Sequence, residues 1–456
     1  MPGMPLTPPP PPPLNEPVPA PIRTPSCVAP RDESMQDEYG SMDDSDSYIH
    51  VPSFTLESGL VMRNVRVAYR TWGTLSAAAD NCLFVPHALT GNAAVDTWWA
   101  ALLGNGKALD TSQYFVVGSN MLGSCYGTTS PLDEVPDGTA WVAPRDGTHA
   151  AAAGKRYAAD FPYVTIRDTV RLHYLVLQQL GVASVHAVVG GSAGGMQALE
   201  WAIMYPAFVK RIAVLAAGAQ QSAWQIAISE AQRQSIYCDA DWNQGFYAID
   251  SPPKTGLAIA RQNAMVWYRS PVAYDEKFGR REQPATPGSP GAKAIAASGG
   301  GGKGAPNSYA VEGYLDHQGV KFIERFDANC YVSLTRTLDS HDVGRERGSL
   351  LNVLASIRQP VLVLGITSDV LYPLEMQRYL AVHIPRARLA VLDSESGAHP
   401  NPNPNSNPEP NAHRAHPHLS PLTSHPRRAH PHPHPHPHPH PHARPARPRR
   451  LPPREH

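Results

Sequence analysis

The chain has 456 residues, with 39 Lys plus Arg against 39 Asp plus Glu and a formal net charge of zero. That balance removes any bulk electrostatic argument for a nucleic-acid or anionic-membrane partner. Its five cysteines, at positions 27, 82, 125, 238 and 330, show no CxxC spacing, which argues against a disulfide framework or a metal site and for a reducing compartment. No apolar run approaches the ~20 residues of a membrane span.

Residues 1–47 open with a proline tract and turn acidic, a composition that reads as disordered. They contain neither the apolar core of a secretory signal nor the basic character of a transit peptide, so the cytoplasm is expected. Order is expected from Tyr48, with an early strand pair around 61–69. Cys82–Pro86 reads as a buried strand followed by His87-Ala88-Leu89-Thr90-Gly91-Asn92, and 114–118 as another, followed by the loop 120–127. Asp168 is expected to cap a helix to Leu180, with Leu172, Leu175, Val176 and Leu180 on one face and Gly181 as its stop. Residues 182–189 read as a buried strand, and Gly194 to Tyr205 as a helix ended by Pro206. Strands at 360–366 and 388–392 follow much later.

Alternating strands and helices imply an α/β fold, a mainly parallel sheet covered on both faces by helices. The core divides into 48–218 and 350–399. Between them, 219–349 is helical in character, as at 224–237 and 308–314, and reads as an inserted lid with a Gly/Pro-rich loop at 280–306. From 400 to 456 the composition collapses to Pro, Asn, His and Arg, ending in His-Pro alternation. Such a tail cannot build a packed core and reads as low-complexity sequence or a gene-model artefact.

Between strand and helix lies Gly190-Gly191-Ser192-Ala193-Gly194. G-x-S-x-G at a strand–turn–helix junction lifts a serine above the sheet as a nucleophile and aims a helix N-terminus at developing negative charge. A helix-capping serine in a nucleotide-binding protein is the alternative. An acyl-transfer serine needs a base, a group that orients the base, and oxyanion donors. In α/β-hydrolases the order is Ser, then Asp or Glu, then His. Asp369, just past the strand at 360–366, suits the acid; a turn aspartate is the alternative. His399, just past 388–392, suits the base, although it also begins the His-rich tail. The oxyanion donors are expected to be the backbone N–H groups of Leu89 and Ala193.

Several blocks in one order resemble homoserine O-acetyltransferase. They are His87-Ala88-Leu89-Thr90-Gly91, Trp98-Trp99, Asn120 through Thr129, Phe161-Pro162 with Val164 to Asp168, Gly190 through Trp201, Gln232-Arg233-Gln234, Arg325 through Tyr331, and Leu338-Asp339 with His341-Asp342-Val343. Cys330 and Val170-Arg171-Leu172-His173 look like fungal and other eukaryotic members. The resemblance implies an α/β-hydrolase core with a helical lid, a homodimer joined through the lid, and methionine biosynthesis. It implies acetyl transfer from acetyl-CoA, a co-substrate with no resident cofactor, to L-homoserine. Ser192 would carry the acetyl group, Asp369 would orient the base, and Arg233 would match the substrate-binding arginine, with a helix ion pair as the alternative.

The sequence departs from the family in two places. Ala193 stands where methionine is usual. The usual Gly-His-Asp loop and final helix are replaced by Gly397-Ala398-His399-Pro400 and the tail. Serine as acceptor, succinyl-CoA as donor, water as acceptor, and a catalytically impaired homologue with a binding role are the competing readings. His341 is a poor substitute base, because it lies in the lid, outside the expected order.

Overall fold

The computed structural model describes residues 46–137, 155–283 and 308–393. β1 (Ser47–Thr55) and β2 (Val61–Trp72) form an antiparallel pair. β3 (Cys82–Pro86) is buried along its whole length, as a strand covered on both faces must be. A short helix, α1 (Val95–Trp98), leads to β4 (Phe115–Ser119). Then α2 (Ile166–Gln179), β5 (Val185–Gly191), α3 (Ala193–Met204) and β6 (Ile212–Leu215) alternate as expected.

The insertion carries α4 (Ala223–Tyr237), α5 (Lys254–Trp267) and α6 (Pro271–Phe278). It continues through the two-residue strands β7 (Glu282–Gln283) and β8 (Ser308–Tyr309), then α7 (Ala310–Ile323) and α8 (Ala328–Asp339). The chain returns through α9 (Leu350–Ser356), β9 (Val361–Ile366), α10 (Leu374–His383) and β10 (Ala387–Leu392). The main sheet has the order β1-β2-β4-β3-β5-β6-β9-β10. From β4 to β10 every pairing is parallel.

Two local expectations are corrected. The cap of α2 is Thr165, whose extended backbone (φ −115°, ψ 166°) lets its hydroxyl accept from the Asp168 N–H. Asp168 returns the bond to the Thr165 N–H at 3.1 Å, so it closes a capping box from inside the helix. Residues 308–309 are not helical. They pair with β7, and the helix begins at Ala310. The expectations for residues 1–45, 284–307 and 394–456 lie outside the described residues. No helix among those described is long and apolar enough to cross a membrane.

Two chain segments join the insertion to the core, and they bond to each other. Gln221 N–H donates to His341 O at 2.8 Å and Val343 N–H to Ala219 O at 3.0 Å. Arg167 locks this stem from below. Its guanidinium meets Glu57 at 2.9 Å and Glu200 at 3.1 Å, and donates to the carbonyls of Asp342 and Arg345. Arg167 and Glu200 are buried, and a buried charge is tolerable only with such partners.

Candidate active site

Ser192 sits where β5 turns into α3, with φ +53° and ψ −121°. A non-glycine residue in that region is strained by about 1–3 kcal/mol and persists only where its surroundings impose it. The surroundings here leave no space for anything but glycine on either side. A Cβ on Gly190 would lie 2.4 Å from Gly194 backbone, and one on Gly194 would lie 2.2 Å from Pro86 O. The first helical bond, Met196 N–H to Ser192 O at 3.0 Å, starts α3 directly after the serine. Ala193, the first residue of the helix, therefore presents an N–H with no acceptor within its own helix.

The second expected donor, Leu89, is buried in the loop after β3. Its neighbours are tied down: Gly91 N–H donates to Ala88 O at 3.0 Å, and the His87 ring lies 2.7 Å from the same oxygen.

Asp369 follows β9 and is buried. One carboxylate oxygen accepts the N–H groups of Leu371 at 2.9 Å and Tyr372 at 2.8 Å. The other oxygen is buried with no partner among the described residues. The first oxygen makes this a turn aspartate, as the alternative held; the second leaves an acceptor waiting for a donor such as an imidazole N–H. Burial pushes the Asp369 pKa up to about 6 from 3.8, against the two backbone bonds.

A carboxyl group raised in the fold binds its proton more tightly when folded than unfolded. Stability therefore falls as pH rises from about 4 to about 6, and ionised Asp369 destabilises the fold at pH 7. Asp369→Asn should raise stability by on the order of 2–3 kcal/mol at pH 7 and by little at pH 4. Urea titrations at the two pH values check this; an equal effect at both would contradict it.

His399 lies outside the described residues. His341 is buried, and its Nε2 is 3.0 Å from Gly218 O. That ring braces the stem of the lid.

Arg233, on α4, is buried and already neutralised. Its Nε donates to Glu230 at 2.9 Å and its Nη2 to Asp339 at 2.8 Å. The helix ion pair is present, with its Glu230 end half-exposed, and Arg233 keeps one buried Nη1 without a partner among the described residues. Arg261, on α5, is a buried guanidinium without an ion pair among the described residues, and its Nε has no acceptor there. It lies over the rings of Phe322 at 5.0 Å and Tyr268 at 5.8 Å. The hydroxyl of Tyr372, the residue whose backbone N–H bonds Asp369, donates to Gln221 at 3.4 Å.

The signal for Arg261 is present in the sequence. It occupies the apolar stripe of α5, four residues from Leu257 and three and four from Ala264 and Met265, all buried, where an arginine is out of place unless it serves something.

A model of the alpha/beta hydrolase fold matches residues 81–399. A homoserine O-acetyltransferase of Salinibacter ruber is 48% identical over 351 residues, covering 76% of this chain and 90% of the relative. That of Trichormus variabilis is 45% identical over 351 residues, covering 77% and 88%. The chain belongs to the homoserine O-acetyltransferase family. Among solved structures, homoserine O-acetyltransferase from Staphylococcus aureus aligns with a TM-score of 0.57 at 29% identity, over 77% of this chain and 89% of that one. Esterase E22 aligns at 0.63 and 24% identity over 77% and 94%, a likeness of fold alone. The chain is thus a homoserine O-acetyltransferase-like enzyme.

Proposed function

We propose that this enzyme moves acetyl from acetyl-CoA to the hydroxyl of L-homoserine, in methionine biosynthesis, by way of an acetylated Ser192. The observation that carries the reading is the strained Ser192 at the turn from β5 to α3, together with the buried, open oxygen of Asp369, in a chain of the homoserine O-acetyltransferase family.

In the first half-reaction the base takes the Ser192 hydroxyl proton and Oγ adds to the thioester carbonyl. The resulting oxyanion is held by the N–H groups of Leu89 and Ala193. As the carbonyl re-forms, the carbon–sulfur bond breaks and CoA leaves as its thiol with the proton from the base. In the second, the base takes the homoserine hydroxyl proton, that oxygen attacks the acetyl carbonyl, and Ser192 recovers its proton on release. His399 is the base in this reading, oriented by the open oxygen of Asp369. CoA needs no phosphate loop or other cofactor here. The lid helices leave Trp224, Ile226, Ile259 and Val266 exposed, which supports a homodimer joined through the lid.

Arg261 takes the acceptor's carboxylate, in place of the role first expected of Arg233. A guanidinium grips a carboxylate bidentately, and such a contact contributes about 1.5–3 kcal/mol. Arg261→Met should raise KM for homoserine roughly 10- to 150-fold while Ser192 is acetylated by acetyl-CoA at the wild-type rate. Arg233→Met should act mainly on stability, because it strands the half-buried Asp339. If Arg233→Met raises KM for homoserine and Arg261→Met does not, the assignment is overturned.

A further inference from the structure

The Leu89 N–H belongs to the same planar unit as the Ala88 carbonyl, and in a trans peptide the two point in opposite directions. Whatever fixes Ala88 O therefore aims the Leu89 N–H. Two donors fix it: the Gly91 N–H at 3.0 Å and the His87 ring nitrogen Nδ1 at 2.7 Å. The opposite ring nitrogen, Nε2, is 2.9 Å from Met121 N, and a backbone N–H can only donate. His87 is consequently held as the neutral tautomer with its proton on Nδ1. The ring is fully buried, and burial lowers its pKa to about 4, so it keeps that form through neutral pH.

The far side of Leu89 is held from the lid. Arg325, between α7 and α8, donates from Nη1 to Thr90 O at 3.1 Å and to the Tyr126 hydroxyl at 2.6 Å. Its guanidinium also lies 4.9 Å from the centre of the Phe322 ring, which carries Arg261 at 5.0 Å.

We infer that His87 and Arg325 are positioning residues that aim the Leu89 N–H at the oxyanion, His87 through the Ala88 carbonyl and Arg325 through the Thr90 carbonyl. Neither touches the reacting atoms; each acts through the backbone of the 88–90 strap. The inference rests on Ser192 being the acylated nucleophile. Because both half-reactions form an oxyanion at the same place, losing the aim should slow both, unlike loss of an acceptor contact.

The experiment measures Ser192 acylation without acceptor, by acetyl-CoA and by p-nitrophenyl acetate, an activated ester that needs neither CoA nor homoserine recognition. The variants are His87→Asn, His87→Gln and Arg325→Lys, each checked by thermal melting. An asparagine amide can place its N–H near the imidazole Nδ1, whereas glutamine reaches only the Nε2 position. His87→Gln should lose about 10²-fold in acylation by both reagents, as expected for a misplaced oxyanion donor. His87→Asn should recover most of that loss. Arg325→Lys should lose about tenfold in both acylations, with KM for homoserine unchanged.

The inference is overturned if folded His87→Gln and Arg325→Lys acylate at the wild-type rate. It is also overturned if His87→Asn and His87→Gln lose rate equally in step with melting temperature, which is the mark of a purely structural role. Failure of both reagents to acylate Ser192 in a wild-type preparation that makes O-acetylhomoserine removes the proposed nucleophile and this inference with it. Acylation of the wild-type chain by p-nitrophenyl acetate but not by acetyl-CoA removes the donor assignment alone.

Discussion

Ser192→Ala should abolish acetyl transfer, and Ser192→Gly should abolish it while making the protein more stable. In the proposed reaction the serine hydroxyl oxygen forms the acyl bond, so no covalent route survives its loss. The backbone argument is independent of chemistry. Ser192 is held at φ +53° and ψ −121°, a conformation a Cβ opposes and glycine tolerates. Glycine should recover on the order of 1 kcal/mol of that strain, raising the melting temperature by ~2 °C. Alanine keeps the Cβ and should leave stability near wild type. Calorimetry of the three proteins checks this: a glycine variant less stable than the alanine variant would show that the elbow is not strained.

The second large effect concerns the C-terminus. β10 forms the sheet edge, and Leu362 and Leu392, on the face turned away from α10, are 45% and 46% exposed. Leu389 and Val391 on the other face are 37% and 47% exposed. Apolar side chains left half-exposed at an open sheet edge are costly. Replacing residues 398–456 with a family-type Gly-His-Asp loop, apolar segment and terminal helix should raise stability by a few kcal/mol, at about 25 cal/mol per Å² of apolar surface covered. It should also raise activity by orders of magnitude, because a base must reach Ser192 within about 2.6–3.2 Å and the open oxygen of Asp369 requires a donor.

His399→Ala in the present chain is the control. If the present chain is active and this substitution removes the activity, His399 is the base where it stands. If an active chain is indifferent to it, another residue is the base.

Much of the core was legible from burial periodicity. The strand Cys82–Pro86 was read at its observed bounds, and the strands near 115–119, 361–366 and 387–392 within one residue. A parallel strand buried on both faces reads as a short apolar run, and its length and flanking turn residues separate it from a buried helix. β5 begins at Val185, three residues later than expected. Val182 is buried too, but in the turn after α2, and burial alone does not separate strand from turn.

The elbow was legible because only small residues allow the approach of Gly190 to Gly194 and of Gly194 to Pro86. The arginines were harder to read. Arg233 and Arg261 both lie on buried helical faces. What separates them is that Asp339, more than a hundred residues away in the chain, pairs with the first, whereas no carboxylate among the described residues pairs with the second. Long-range charge pairing leaves no local trace in a sequence. His87 was noted only as part of a motif, since its use depends on which backbone group each ring nitrogen meets.

The most direct test of the account is to mix the protein with acetyl-labelled acetyl-CoA without acceptor, quench, digest, and locate the label by mass spectrometry. Acetyl on Ser192, discharged on adding L-homoserine to give O-acetylhomoserine, is the predicted result. A preparation that makes O-acetylhomoserine under the same conditions yet never carries acetyl on Ser192 would contradict it.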